Sequence, residues 1–482
     1  MKEKKFFISS SIPYVNAEPH LGHAQEFIEA DIIARYRRLM DDTVFFLSGT
    51  DDNAQKNVQA AESAGIPVAD YVNKHAKEFI DLEKRLNISN DYFIQTSVDP
   101  RHRDGAQKLW RACKPEDIYK KSYKGMYCLG CEEFKTEADL VNGECPEHPG
   151  KKLEEVEEEN YFFKLSNYQS KLKNLVESDE LQIIPQTRKN EVLSFINSGL
   201  EDFSISRSVA RTKGWGIPVP DDETQTMYVW FDALSNYITA LGYSDDGADY
   251  EKFWKESNER VHVIGKGISR FHTIYWPAML LSTGVRLPSK VFVHGYITVG
   301  GQKMSKTIGN VIDPNVVIDE YGADAFRYYM ARHISPFDDG DFTMEKFKEV
   351  YNANLANGLG NLSARIMKMA QDNLDEPVKV DNYGYTFQDG YIDESLSEYK
   401  INMAMEYIWS KIGDLDREIT EKRPFSLLKE SPETAKEIIV NLVLNLYRVG
   451  CMLQPFLPET ADLIINATRI NKKPENLFPR KD

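Results

Sequence analysis

The chain has 482 residues, a formal net charge of −16, and 41% hydrophobic against 28% charged residues. That balance is globular, and the length leads us to expect three or four domains rather than one core. No apolar run reaches the roughly 20 residues of a membrane span, and the opening Met-Lys-Glu-Lys-Lys leads into a strand-like segment rather than a secretory signal, so a cytoplasmic protein is expected. The acidic balance disfavours a uniformly basic nucleic-acid binder but allows a local basic face.

In chain order, strand-like runs at 5–11, 43–50 and 91–96 alternate with helical patterns at 24–40, 55–64 and 68–86. Such alternation predicts a parallel sheet flanked by helices, and residues 1–112 are read as the first half of a catalytic domain. Where the first strand hands over to the first helix stands Pro19-His20-Leu21-Gly22-His23. A helix start offers N–H groups and a positive dipole end to an anion. His20 and His23, three residues apart, share one side, and Gly22 would let a nucleotide approach the backbone. The chemistry suggested is stabilisation of a triphosphate.

Near Lys114 the texture changes, with dense Tyr and Lys, then Cys and Gly, then the acidic run Glu154 to Glu159. Residues 113–225 are therefore read as an insertion. Three of the five cysteines fall in it, as Cys128-x-x-Cys131 followed by Cys145-x-x-His148. Two such pairs suit one tetrahedral, structural Zn²⁺. Cys113 and Cys451 are read as buried thiols. Strand-like 261–264 and 290–293, with a helical pattern between them, resume the sheet over residues 226–310. There Gly300-Gly301 opens a loop bearing Lys303-Met304-Ser305-Lys306, whose ammonium groups could close over phosphates. Residues 311–350 form a linker, and helical periodicity dominates 351–482. The expected fold is α/β: a split doubly wound, Rossmann-type parallel-sheet catalytic domain with a zinc-knuckle insertion, followed by an all-α helical bundle.

The His motif and the Lys motif, in this order around a zinc-like insertion, resemble the signatures of class I aminoacyl-tRNA synthetases. Neighbouring residues narrow the resemblance to the methionyl-tRNA synthetase family, over about residues 5–470. It implies catalysis by His20, His23, Lys303 and Lys306. It implies that His20, Gly22, His23, His294, Gly295, Lys303, Ser305 and Lys306 hold ATP with Mg²⁺, Gly295 admitting the adenine ring. Ile12, Tyr14, Trp230, Leu234, Tyr237, Ile268 and His272 match the family's methionine pocket, with Tyr14 and His272 as its polar handles and Asp51 holding the ammonium. Asn361 and Arg365 match the anticodon-reading helix, and Phe425 stands where the family usually has a stacking Trp. The ligands implied are ATP, L-methionine and tRNA(Met).

Two segments depart from the family pattern. Asp51-Asp52-Asn53-Ala54 replaces the usual Asp-Glu-His-Gly, and Gly267 replaces an Asp. They raise the alternative of a non-catalytic or altered-specificity tRNA-binding paralogue. A class I synthetase for leucine, valine or cysteine is disfavoured by the pocket aromatics and by an insertion too short for a large editing domain. No appended dimerising tRNA-binding domain is read after the bundle, so a monomer, or a complex with a separately encoded partner, is expected.

Overall fold

The computed structural model describes residues 4–135, 137–146, 150–304, 309–380 and 390–481. The chain forms two compact units, one from Met1–Pro19, Asp42–Asp81 and Asn90–His294, the other from His20–Asp41, Leu82–Ser89 and Gly295–Asp482.

The first unit is built on six strands, β1 (Lys5–Ser9), β2 (Thr43–Thr50), β3 (Tyr92–Gln95), β4 (Gln182–Ile184), β5 (Glu259–Gly265) and β6 (Lys290–His294), in the order β3-β2-β1-β5-β6-β4. Every neighbouring pair is parallel. Phe6, Phe7, Ile8, Phe46, Leu47, Val291, Phe292 and Val293 are all buried. Successive residues point to opposite faces, so both faces are covered, and the strands read as continuous apolar runs. The strand order reverses between β1 and β5. In such sheets a ligand crevice lies beyond the strands' carboxyl ends at the reversal, and there Asp51 N–H donates to Pro13 O at 2.9 Å, pinning the end of β2 to the segment after β1.

β4 lies within the segment read as an insertion, yet Gln182 pairs with Lys290 at the edge of the main sheet. Three residues carry too little periodicity to announce a strand. The remainder of the segment is largely antiparallel, dominated by the hairpin Ile118–Cys128 with Glu154–Phe163.

The second unit is helical, with helices at Pro314–Tyr321, Ala323–His333, Asn361–Asn373, Ile401–Lys422, Pro432–Leu453 and Pro458–Arg469 among its described residues. Among the described residues, no helix is long and apolar enough to cross a membrane. Helix Leu21–Leu39, expected with the first half of the sheet domain, groups with this unit instead. A buried ion pair ties it there. Arg327 is fully buried and its Nη2 lies 2.8 Å from Asp31 Oδ2. Its other N–H groups donate to the carbonyls of Phe456 (2.7 Å), Pro455 (3.0 Å) and Leu86 (3.2 Å). One guanidinium thus joins four stretches of chain. Burial pushes the Asp31 carboxyl up, but Arg327, Arg35 and the Ser89 donors outweigh it and hold it below the usual range.

Arg327→Met should therefore lower the unfolding free energy of this unit by about 3–5 kcal/mol, since it removes one of the two guanidiniums on a buried carboxylate and takes the donor from three buried carbonyls. Because the folded-state pKa of Asp31 is depressed, the wild-type advantage should be full above the usual carboxylate value of about 3.9 and fade as pH falls through the folded value. Urea unfolding of both proteins at neutral and acidic pH checks this.

Candidate active site

The first unit gathers all eight residues of the proposed methionine pocket. Tyr14 forms an isolated parallel bridge with Asp51. The Tyr14 and Trp230 rings meet edge to face at 6.1 Å, and Trp230 stacks on Phe271 at 3.7 Å. Tyr237 and His272 share a hydrogen bond of 2.7 Å between hydroxyl and Nε2, while His272 Nδ1 lies 2.9 Å from Ile268 O. Ile12, Tyr14 and Ile268 pack against the same core as Trp230, Leu234 and Tyr237. Helix Val229–Thr239 supplies three of these walls because all its residues are buried.

Three polar atoms here are sealed from solvent and have no hydrogen-bond partner: the Tyr14 hydroxyl, Asp51 Oδ2 and Trp230 Nε1. Each such atom costs about 1–3 kcal/mol, so the set is matched to a polar ligand. Both ring nitrogens of His272, offered with Tyr14 as a handle, have protein partners in Tyr237 and Ile268 O, whereas the Tyr14 hydroxyl has none.

Asp51 is surrounded by acid. Burial first, then the charges of Asp232 and Glu132, push its carboxyl well above the ordinary range, and the Asn53 N–H bond at 3.0 Å on Oδ1 only partly offsets this. Glu132, also pushed up by burial, accepts the Lys56 N–H at 2.6 Å. Asp52 turns the other way: its Oδ2 accepts Ser97 Oγ–H at 2.6 Å, and burial raises it to about 6. The sequence reading passed over Glu132, Asn53, His102 and Asp232 as members of this site. Asp232 lies inside the quoted aromatic motif, but nothing in the spacing of 53, 102, 132 and 232 signals that they meet.

In the second unit, His20 caps helix Leu21–Leu39. Its Nδ1 accepts the Gly22 N–H at 3.1 Å, His23 Nδ1 accepts the His20 N–H at 3.2 Å, and the rings stack at 3.9 Å. These two N–H groups, expected to face an anion, are thus taken by the imidazoles themselves. A Cβ at Gly22 would lie 3.0 Å from the His20 ring, so its openness serves that ring. Lys303 sits in a hairpin turned by Gly300 and Gly301, both at positive φ, with Nζ 4.8 Å from the Tyr296 ring centroid. Ser305 and Lys306 lie outside the described residues. His294, in the first unit, ends β6 and is buried.

At Gly295 a Cβ would stand 2.2 Å from Asp338 O, so the absence of a side chain there admits the protein's own backbone.

The Sγ atoms of Cys128, Cys131 and Cys145 lie within 4.8 Å of one another, with Cys131 and Cys145 at 3.4 Å. A disulfide would need about 2.05 Å, whereas tetrahedral Zn–S bonds of about 2.3 Å place sulfurs a little under 4 Å apart. The cluster suits a metal ion. His148 lies outside the described residues. In the second unit, Asn361, Arg365 and Phe425 line one groove of about 380 Å³ with Lys368, Met369 and Lys473. Phe425 is 54% exposed, and Arg365 Nη1 is 2.8 Å from Asp416.

The family model described as tRNA synthetases class I (M) matches residues 6–367, which defines the class. The chain is 40% identical to the Methionine--tRNA ligase of Thermotoga maritima, over 98% of this chain and 76% of that one. It is 39% identical to that of Brucella suis, over 97% and 92%. It superposes on the Mycobacterium tuberculosis methionyl-tRNA synthetase in complex with methionyl-adenylate with a TM-score of 0.88 at 35% identity, covering 99% of each chain. The chain belongs to the methionyl-tRNA synthetase family.

Because the space above Gly295 is filled by backbone, Gly295→Ala must displace the segment around Asp338. It should lower the thermal midpoint of the second unit, and an Asp338→Ala change, which leaves that carbonyl in place, should not relieve the loss; differential scanning calorimetry of the single and double variants checks this.

Proposed function

We propose that this chain activates L-methionine with ATP and transfers it to the 3′ end of tRNA(Met). The observation that carries this reading is the convergence of three unpartnered buried polar atoms, on Tyr14, Asp51 and Trp230, in an aromatic pocket at the reversal point of a doubly wound sheet. Asp51 Oδ2 takes the ammonium. Ile12, Leu234, Tyr237 and Ile268 line the thioether with aliphatic walls and aromatic edges. The departures near Asp51 leave it in place, since Asp52 turns to Ser97.

A methionine carboxylate oxygen attacks the α-phosphorus of ATP, and the bond from that phosphorus to the departing pyrophosphate breaks. A terminal ribose hydroxyl of the tRNA then attacks the adenylate carbonyl, and AMP leaves. Neither step needs a side-chain nucleophile, so the protein supplies positioning and charge stabilisation. His20, His23, Lys303 and Lys306, with the backbone around Ser305, are assigned to the phosphates, His294 to the adenine end of ATP, and Mg²⁺ when bound shares the phosphate charge. A Zn²⁺ ion on Cys128, Cys131, Cys145 and His148 fixes the knuckle and has no chemical step. Asn361, Arg365 and Phe425 are assigned to the anticodon, where unstacked bases can lie against an exposed ring.

ATP–pyrophosphate exchange driven by methionine, beside leucine, valine, isoleucine and cysteine, tests this on protein of known zinc content. Exchange with methionine alone is expected; none with any amino acid would replace this reading with the non-catalytic paralogue. Lys306→Ala should slow exchange by about 10²–10³-fold with little change in methionine KM. A proportional rise in KM would remove Lys306 from its assigned role.

A further inference from the structure

Asp232 is fully buried on helix Val229–Thr239, and both its oxygens are occupied. Oδ1 lies 2.6 Å from His102 Nε2, and Oδ2 accepts the Asn53 side-chain N–H at 2.8 Å. A carboxylate offers that amide only an acceptor, so the NH₂ of Asn53 faces it. His102 is itself fully buried, and its Nδ1 lies 2.8 Å from Thr239 Oγ1. Asn53 also donates its backbone N–H to Asp51 Oδ1 at 3.0 Å. One residue therefore holds two buried carboxylates through two donors, and so sets their separation.

We infer that Asn53 and His102 are positioning residues for recognition of the substrate ammonium. They occupy both oxygens of Asp232 and one oxygen of Asp51, so that Asp51 Oδ2 alone of these four oxygens is left for the cation. The inference rests on the methionine reading of the pocket and extends it to two residues to which the resemblance gave no role. Asn53 is one of the departures from the family pattern. Its amide takes the place in this network that links strand β2 to the pocket helix, and His102, from helix Pro100–Ala112, completes it.

The test compares three ligands on the full chain: methionine, methioninol, which keeps the ammonium and lacks the carboxylate, and 4-(methylthio)butanoate, which keeps the carboxylate and lacks the ammonium. In Asn53→Ala, methionine KM and the methioninol inhibition constant should rise together by about tenfold or more, the loss of a hydrogen bond to a charged group. The constant for 4-(methylthio)butanoate and the KM for ATP should stay unchanged. His102→Leu should behave alike, and His102→Gln, whose amide can still donate to Asp232, should recover most of the loss. The His102 pair keeps the test decisive if Asn53→Ala does not fold. Equal weakening of all three ligands, or no weakening of any, overturns the inference. A wild-type chain without methionine-dependent exchange refutes the parent reading instead, so the two failures are distinct.

Discussion

Asp51 is 1% exposed at the end of β2, with one carboxylate oxygen on the Asn53 N–H and the other facing no donor. Glu132 and Asp232 lie near enough to raise the cost of its charge. An empty site with this arrangement is unfavourable, and the deficit is recovered when a cation arrives. The pocket is arranged around that deficit. Three nearby hydrogen-bond donors are committed elsewhere: His102 and the Asn53 amide go to Asp232, and the Lys56 N–H goes to Glu132. Aromatic rings close the rest, so a cation arriving beside Asp51 would meet it in a dry setting, where charge counts for most.

The second unit shows the same side chain under the opposite constraint. Asp31 is as deeply buried as Asp51, but two guanidiniums and two Ser89 donors meet it, and its carboxyl is held down rather than pushed up. There the carboxylate fastens helices together and has nothing left to give a ligand. Burial alone does not mark a functional acid. The balance of partners does, and it separates a structural carboxylate from one kept for substrate.

Much of this was legible in the sequence, for physical reasons. Strands such as Thr43–Thr50 and helix Gln55–Ala64 fall where their apolar runs and periodicity put them. The x-x spacing of Cys128 and Cys131 foreshadows the thiol cluster, since a tight turn is needed to face two ligands inward. What stayed hidden depends on distant pairing. β4 is three residues long, and only its ladder with β6 makes it a strand. Helix Leu21–Leu39 groups with the helical unit, within which Asp31 meets Arg327, 296 positions away by residue number. Gly22 and Gly295 were read as openings for a nucleotide, whereas a His ring lies nearest at the first and a passing backbone at the second. A glycine in a sequence reveals that space is needed, not what fills it.

The central claim is that an uncompensated buried carboxylate waits for the substrate's ammonium. Isothermal titration calorimetry of methionine binding, in two mildly acidic buffers of different ionisation enthalpy, counts the protons exchanged. Burial and the charges of Asp232 and Glu132 push the Asp51 carboxyl up, and an arriving ammonium, which favours the ionised form, should draw it back down. The account predicts net proton release on binding, abolished in Asp51→Asn together with most of the affinity. Binding of methionine with no proton release, or release that persists in Asp51→Asn, would contradict it.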